Sequence, residues 1–579
     1  MPYRHADRAT LIDFDSGKGS SDAALLDTDQ ASVDTDLAML AERRGAWARL
    51  PPAERLEFLE AMVPRLLRVG PGWVAGAAEL EVLAPEGPTF GEEWLTGPAL
   101  ALHYVRQLAR SLRETIEYGR PRLPGTPSRR PSGEIRTPVF PRDSWDRLFF
   151  PGLTAEAWLT PDVDGSARAE SKVGGVCLVL GGGNVTAIPV LDALGKLFVD
   201  DRVVLLKLHR LTTFLEPLLN DAFKPLVDAG FLRIVSGGAG TGRELVRHPG
   251  VDEIHVTGSD RTYEAIVFGD GPEGAARKAR GEPLLHKPVS AELGNVSPVI
   301  VVPGDWSPRD VATQAEQVAS MLTNNAGFNC VAARVVITPA GWSGRAAFLD
   351  GIRAVLAATP TRRAWYPGAQ DRFAEIADRH AGAERFGLAG EGRLPWAFIT
   401  GLDPAGEDEP AFRTETFCSV FAETSISATS VPDYLDRAVR FANERLWGTL
   451  SANVIVDPAV ASEGGSGAAL ERAIADLRYG TVAVNYWSAF GFGNGVSPWG
   501  AYPGSTSVDI QSGVGFTHNA LMLDGVRKSI IRGPFHPWPK PPYFASHRTL
   551  HRLGPALAAF EARPGFLAAA RLAVPALRG

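Results

Sequence analysis

Apolar residues recur three and four apart in DLAMLAERRGAWARL, PAERLEFLEAMVPRLLRV and ALALHYVRQLARSLRETIEY, between residues 36 and 118. That spacing predicts three amphipathic helices. Pro51 and Pro52 separate the first two, and Pro52 is placed to open the second. GRPRLPGTPSRRPSG at 119–133 reads as loop, and EIRTPVF and AEAWLT beyond it read as short strands. From 171 the pattern changes. VGGVCLVL, RVVLLKL, FLRIV, EIHVT, SPVIVV, RVVIT, SVFAE, LSANVIV and TVAVN alternate with helical stretches. Continuous Val, Leu and Ile runs suit strands buried on both faces, as in parallel sheets. The expected class is α/β with more than one sheet. Beyond about 543, FEARPGFLAAARLAVPAL reads as a docked helix, and residues 1–35 read as a polar tail.

Composition narrows the function classes. The chain has 579 residues, 45% of them hydrophobic, which is too much for one ordinary domain. A net charge of −7 argues against nucleic acid as a partner, because no basic excess meets phosphates. No apolar run approaches the roughly 18 residues of a spanning helix, so no membrane partner is expected. MPYRHADRATLIDFDSGKGSSD has no apolar signal core. Three cysteines, Cys177, Cys330 and Cys418, suit free thiols in a reducing cytoplasm rather than a disulfide framework. No metal site is expected.

Two glycine-rich turns follow strands. GGGN at 181–184 misses the G-x-G-x-x-G fingerprint, because Thr186 stands where the third glycine belongs. GGAGTG at 237–242 has P-loop glycine spacing but continues with Arg243 and Glu244. Both read as tight strand-to-helix turns that still offer N–H groups near a positive dipole end. Among the cysteines, Cys177 lies mid-strand and Cys418 at a strand start, and both read as structural. Cys330, in NNAGFNCVAARVVI, falls between a helical run and a strand, a junction suited to facing a cleft.

LGGGNVTAIPVLDALGKLF, VVLLKLH, SGGAGTGRELVRHPGVDEIHVTGS, KPVSAELGNVSPVIV, the Cys330 segment and FRTETFCSVF follow one another in this order. So ordered, they resemble the aldehyde dehydrogenase superfamily, over about residues 40–530. The resemblance implies that Cys330 is the nucleophile that forms a thiohemiacetal and then a thioester. It implies Asn184 as an oxyanion donor beside the Cys330 backbone N–H, with a helix N-cap role also expected of it. Glu292 matches the base that activates the hydrolytic water. Lys207 matches the residue on the adenosine ribose, and Gly258 and Ser259 the turn over the pyrophosphate. Glu415 and Phe417 match the pair at the nicotinamide ribose and ring. The implied cofactor is NAD or NADP. Arg210 stands where NAD-preferring relatives carry an acid, which points toward NADP. Tyr263 replaces a usual glycine, and Arg334 comes one residue early.

The implied fold is a Rossmann-type dinucleotide-binding domain, an α/β catalytic domain and a bridging oligomerisation element. The expected division is a tail at 1–35, N-terminal helices of the dinucleotide-binding domain at 36–130, and a loop or oligomerisation hairpin at 131–170. The dinucleotide-binding domain resumes at 171–285 and the catalytic domain follows at 286–485. A return segment with oligomerisation contacts and an extra helix occupies 486–579. The implied activity is oxidation of a small-molecule aldehyde to a carboxylic acid by a cytoplasmic homo-oligomer, dimer or tetramer. The alternatives are an acylating enzyme that passes the thioester to coenzyme A, or a catalytically silent nucleotide-binding scaffold. Keeping Glu292 favours hydrolysis.

Overall fold

A computed structural model describes residues 30–85, 87–166 and 174–579. The expected tail at 1–35 lies outside the described residues up to 29, and helix Gln30–Arg49 begins inside it. Helix Pro52–Glu81 runs well past the expected end near residue 69 and carries Pro64 and Pro71 internally. Each interior proline removes one helical hydrogen bond. The buried stripe of Leu59, Met62, Leu66, Val69, Trp73 and Ala77 holds the helix together against that loss.

Among the described residues two large sheets organise the rest, beside a small two-stranded one. The first has six strands in the order Gly513–Val514, Val289–Leu293, Glu253–Gly258, Gly175–Leu180, Arg202–Lys207, Leu232–Val235. All neighbours are parallel except the short edge pair Gly513–Val514 with Val289–Leu293. The chain reverses its direction of growth between Gly175–Leu180 and Glu253–Gly258. Ligands of open α/β sheets bind at the carboxyl ends of strands at such a switch point. Val289–Leu293 pairs here, in register with Glu253–Gly258. The expected boundary at 285/286 therefore cuts this sheet, and the crossing to the second one comes after Leu293.

The second sheet has eleven strands. Its parallel middle contains Thr481–Val484, Ser451–Ile455, Ser297–Val301, Ala333–Pro339, Val420–Ile426 and Trp396–Leu402. Val526–Arg532 adds parallel to Thr481–Val484, then Thr154–Leu159 and Ile135–Phe140 continue antiparallel. The C-terminal stretch read as one helix is two, Leu550–Ala562 and Phe566–Leu577, parted at Pro564. The first packs on Pro88–Trp94 and Leu100–Tyr118. Among the described residues no helix is long and apolar enough to cross a membrane.

Candidate active site

Cys330 is delivered by a strained loop. Helix Pro308–Thr323 starts with a reciprocal Ser307–Asp310 cap. It is followed by three residues in left-handed conformation: Asn325 at φ 49°, Ala326 at 53° and Gly327 at 82°. Left-handed backbone costs a residue with a side chain about 1–2 kcal/mol, so two such residues need bracing. Buried Arg334 supplies much of it, donating to the carbonyls of Gly327 at 2.5 Å and Cys418 at 2.7 Å. Asn325 Nδ2 donates to the carbonyls of Asn184 at 2.8 Å and Phe328 at 3.2 Å. Its backbone N–H donates to Glu92 at 3.3 Å. The loop ends at Cys330, three residues before strand Ala333–Pro339, so the junction expected from the sequence is present.

The Cys330 thiol lies 3.7 Å from Glu292 Oε1. Glu292 is 2% exposed on strand Val289–Leu293. Burial, and next the negative charge of Asp192, push its carboxyl up to about 8. Burial also pushes the Cys330 thiol well up, and the acids Glu292 and Glu415 add to the shift. At neutral pH the resting pair therefore holds protons on both groups, with the carboxyl the readier to lose one. Cys177 and Cys418 are buried, and burial pushes both thiols up, Cys418 to about 11.

Asn184 stands beside this pair, and its Nδ2 donates to the Phe328 carbonyl at 2.9 Å. It does not cap the following helix: Ile188–Phe198 begins after Ala187, with Pro189 in its first turn. With its backbone carbonyl held by Asn325 and one amide N–H given to Phe328, the side chain keeps one further N–H to donate.

Cys330, Glu292 and Asn184 line one end of a cleft of about 910 Å³ that extends to Lys207, Arg210, Gly258, Ser259, Glu415 and Phe417. All nine site residues expected from the sequence thus share one cavity. Lys207 ends strand Arg202–Lys207. Ser259 caps helix Asp260–Phe268 through Thr262 N–H at 3.1 Å, so that helix opens onto the cleft just after Gly258. Both near-miss glycine turns, at 181–183 and 237–242, form its wall. Gly183 has a steric reason to be glycine, since a Cβ there would overlap the His209 ring. Burial and the neighbouring Lys207 and Arg210 hold that imidazole down to about 3, so it is neutral. Phe417, at φ 39°, presents its ring 5.0 Å from Tyr366 and 6.0 Å from Phe328. Glu415 lies against Gly294, where any side chain would strike its carboxylate. Burial pushes Glu415 up to about 7 against the pull of Arg334.

Sequence reasoning missed three contributors. Tyr366 walls the cleft from an irregular segment. Arg362 ties Glu81 at 2.7 Å and Glu92 at 2.5 Å beneath the cysteine loop. Asp192 is fully buried next to the site. Only Asp192 left a signal, as the sole acid within the apolar helix IPVLDALGKLF.

Residues 166–359 match the aldehyde dehydrogenase family. Aldehyde dehydrogenase LUC3 from a Fusarium species is 28% identical over 155 residues, covering 26% of this chain and 30% of that relative. Over five of the curated relatives it matches, the chain spans between 19% and 37% of their length. Structural similarity reaches much further. NAD-dependent aldehyde dehydrogenase from Sinorhizobium meliloti superposes with a TM-score of 0.57 at 17% identity, over 89% of this chain and 88% of the other. NADP-dependent glyceraldehyde-3-phosphate dehydrogenase from Bacillus halodurans, complexed with NADP, gives 0.57 at 17%, over 87% and 92%. At such identities the likeness is one of fold.

Proposed function

We propose that the chain, whose residues 166–359 match the aldehyde dehydrogenase family and whose fold is that of aldehyde dehydrogenases, oxidises an aldehyde to a carboxylic acid at Cys330 with NAD or NADP as acceptor. The observation that carries the reading is the 3.7 Å approach of the Cys330 thiol to Glu292 at the inner end of a nucleotide-sized cleft.

The residues present fit the cofactor. The cleft lies at the carboxyl ends of parallel strands, with the N-terminus of helix Asp260–Phe268 open to an anionic group. Lys207 and Arg210 would hold the adenosine ribose, and Gly258 and Ser259 the pyrophosphate. Glu415 Oε1, buried without a hydrogen-bond partner, is a free acceptor for a ribose hydroxyl, and Phe417 offers a ring face. When bound, the nicotinamide supplies the hydride acceptor.

The chain's own residues do the rest. Ionised Glu292 takes the Cys330 proton, and the thiolate adds to the aldehyde carbon. The Asn184 amide and the Cys330 backbone N–H stabilise the oxyanion. Collapse of the thiohemiacetal expels hydride and leaves a thioester on Cys330. Glu292, having released its proton, then removes one from water, whose oxygen attacks the thioester. The carboxylic acid departs and the thiol is restored. A carboxylate in contact with the nucleophile favours hydrolysis over transfer to coenzyme A, which needs no water-activating base. A free-thiol enzyme of the cytoplasm, oligomeric through the antiparallel strands Ile135–Phe140 and Thr154–Leu159, completes the reading. The test is NADH or NADPH appearance with a panel of aldehydes, with and without coenzyme A. No reduced cofactor from any aldehyde overturns the reading, and strict dependence on coenzyme A replaces it with the acylating one.

A further inference from the structure

Behind Glu292 lies a second, sealed constellation. Asp192, on helix Ile188–Phe198, is 0% exposed. Its Oδ2 accepts from the Thr257 hydroxyl at 2.8 Å and lies 3.5 Å from His255 Nε2. Its Oδ1 lies 3.5 Å from His518 Nε2. His255 Nδ1 in turn meets the Ser290 hydroxyl at 2.9 Å. Strand register explains the convergence. His255 pairs with Ser290 and Thr257 with Glu292, so alternate residues of two neighbouring strands share one face. His518 is fully buried and held at φ 56°, a conformation an ordinary residue keeps only where its surroundings impose it. Phe492 closes over the His518 ring at 4.4 Å and Tyr104 at 5.5 Å. Among the described residues no group of three or more His, Cys, Asp or Glu could hold a metal ion.

We propose that Asp192, clamped by Thr257, His255 and His518, is a positioning residue whose fixed charge adds to burial in keeping the proton on resting Glu292 and so tunes when Glu292 becomes a base. This rests on the reading of Glu292 as the deacylating base.

An ionised carboxylate in a dry interior repels a second one far more than in water. Burial opposes charge on Asp192, but the two imidazoles hold its carboxyl well below the usual range, so it stays ionised. Burial keeps His518 low and therefore uncharged near neutral pH. The other groups facing the pair leave that balance in place. Cys330 meets Glu292 as a neutral thiol, and Glu415 acts on Cys330. Tyr104, facing Asp192 from helix Leu100–Tyr118, keeps its phenol proton through burial and the charges of Asp200 and Asp192.

The test is infrared titration of the Glu292 carboxyl in the full, ligand-free chain, taken as the difference from Glu292→Gln. In Asp192→Asn the midpoint should fall by roughly one pH unit or more. Asp192→Ser, which leaves room for water, should shift it the same way. A wild-type midpoint in either folded variant overturns the proposal. Should neither fold, Glu292→Gln serves alone. Above the wild-type Glu292 midpoint, His518 should bind a proton less readily in that variant, read by its imidazole NMR titration. Identical His518 titrations overturn the proposal. Infrared and NMR readouts need no aldehyde oxidation, so a failed dehydrogenase assay and a failed coupling are separate results. Where turnover exists, the pH midpoint of deacylation should move with the infrared midpoint while the burst of reduced cofactor keeps its amplitude.

Discussion

Glu92 accepts the backbone N–H of Asn325 at 3.3 Å, which ties a helix near the start of the chain to the loop that carries Cys330. Arg362 closes the brace by pairing with both Glu92 and Glu81. Three carboxylates, Glu81, Glu92 and Glu93, thus surround one buried guanidinium. Removing the cation from a buried cluster leaves uncompensated charge, at a cost of about 3–5 kcal/mol. Arg362→Met should lower the melting temperature by several degrees and depress turnover through the loop. An unchanged melting temperature and rate would mean the brace is idle.

The same cluster sets a pH dependence of stability. Burial, then the charge of Glu92, holds Glu93 up to about 7 against the pull of Arg362. The folded chain therefore binds this proton more tightly than the unfolded one, whose ordinary glutamate value is 4.5. Glu93 should favour the folded state least at high pH: stability should decline from about pH 4.5 toward 7 and level off above it. Glu93→Gln should flatten that decline in denaturant titrations, and an unaltered slope would assign it to other groups.

In the proposed mechanism Asn184→Ala removes one oxyanion donor. The burst of reduced cofactor should slow by about 100- to 1,000-fold. A burst as fast as wild type would leave Asn184 only its contact with the Phe328 carbonyl.

Cofactor choice should lie with Arg210, because neutral His209 brings no charge to the ribose end of the cleft. A guanidinium paired with a 2′-phosphate is worth about 1.5–3 kcal/mol, roughly tenfold to a hundredfold in preference. Arg210→Glu should lower the NADP-to-NAD ratio of kcat/KM by that factor. A ratio that does not move, or a wild type that ignores NADP, would refute this role.

Much of the fold was legible because buried parallel strands carry unbroken apolar runs, as in VGGVCLVL and RVVLLKL. Strands that do other work hid themselves. Val289–Leu293 is short and spends two of its five residues, Ser290 and Glu292, on the polar face described above. Val526–Arg532 contains Lys528, which reads as surface but is buried, its ammonium capping the carbonyls of Ile474 at 3.0 Å and Ala475 at 2.9 Å. Trp396–Leu402 is interrupted by Gly401 at φ 74°. Of the residues that line the cleft, Cys330 and Glu292 are expected from motif order, because the proposed chemistry fixes residue type. Arg362 and Tyr366 were not, because bracing and walling depend on which distant segments meet.

The pairing of Cys330 with Glu292 is tested by mixing Glu292→Gln with aldehyde and oxidised cofactor, following reduced cofactor by stopped flow and the protein by intact and peptide mass. A stoichiometric burst should be followed by a stall, with the acyl group on Cys330, and Cys330→Ala should show neither. Continued turnover at the wild-type rate, or an acyl group on Cys177 or Cys418, would contradict the mechanism.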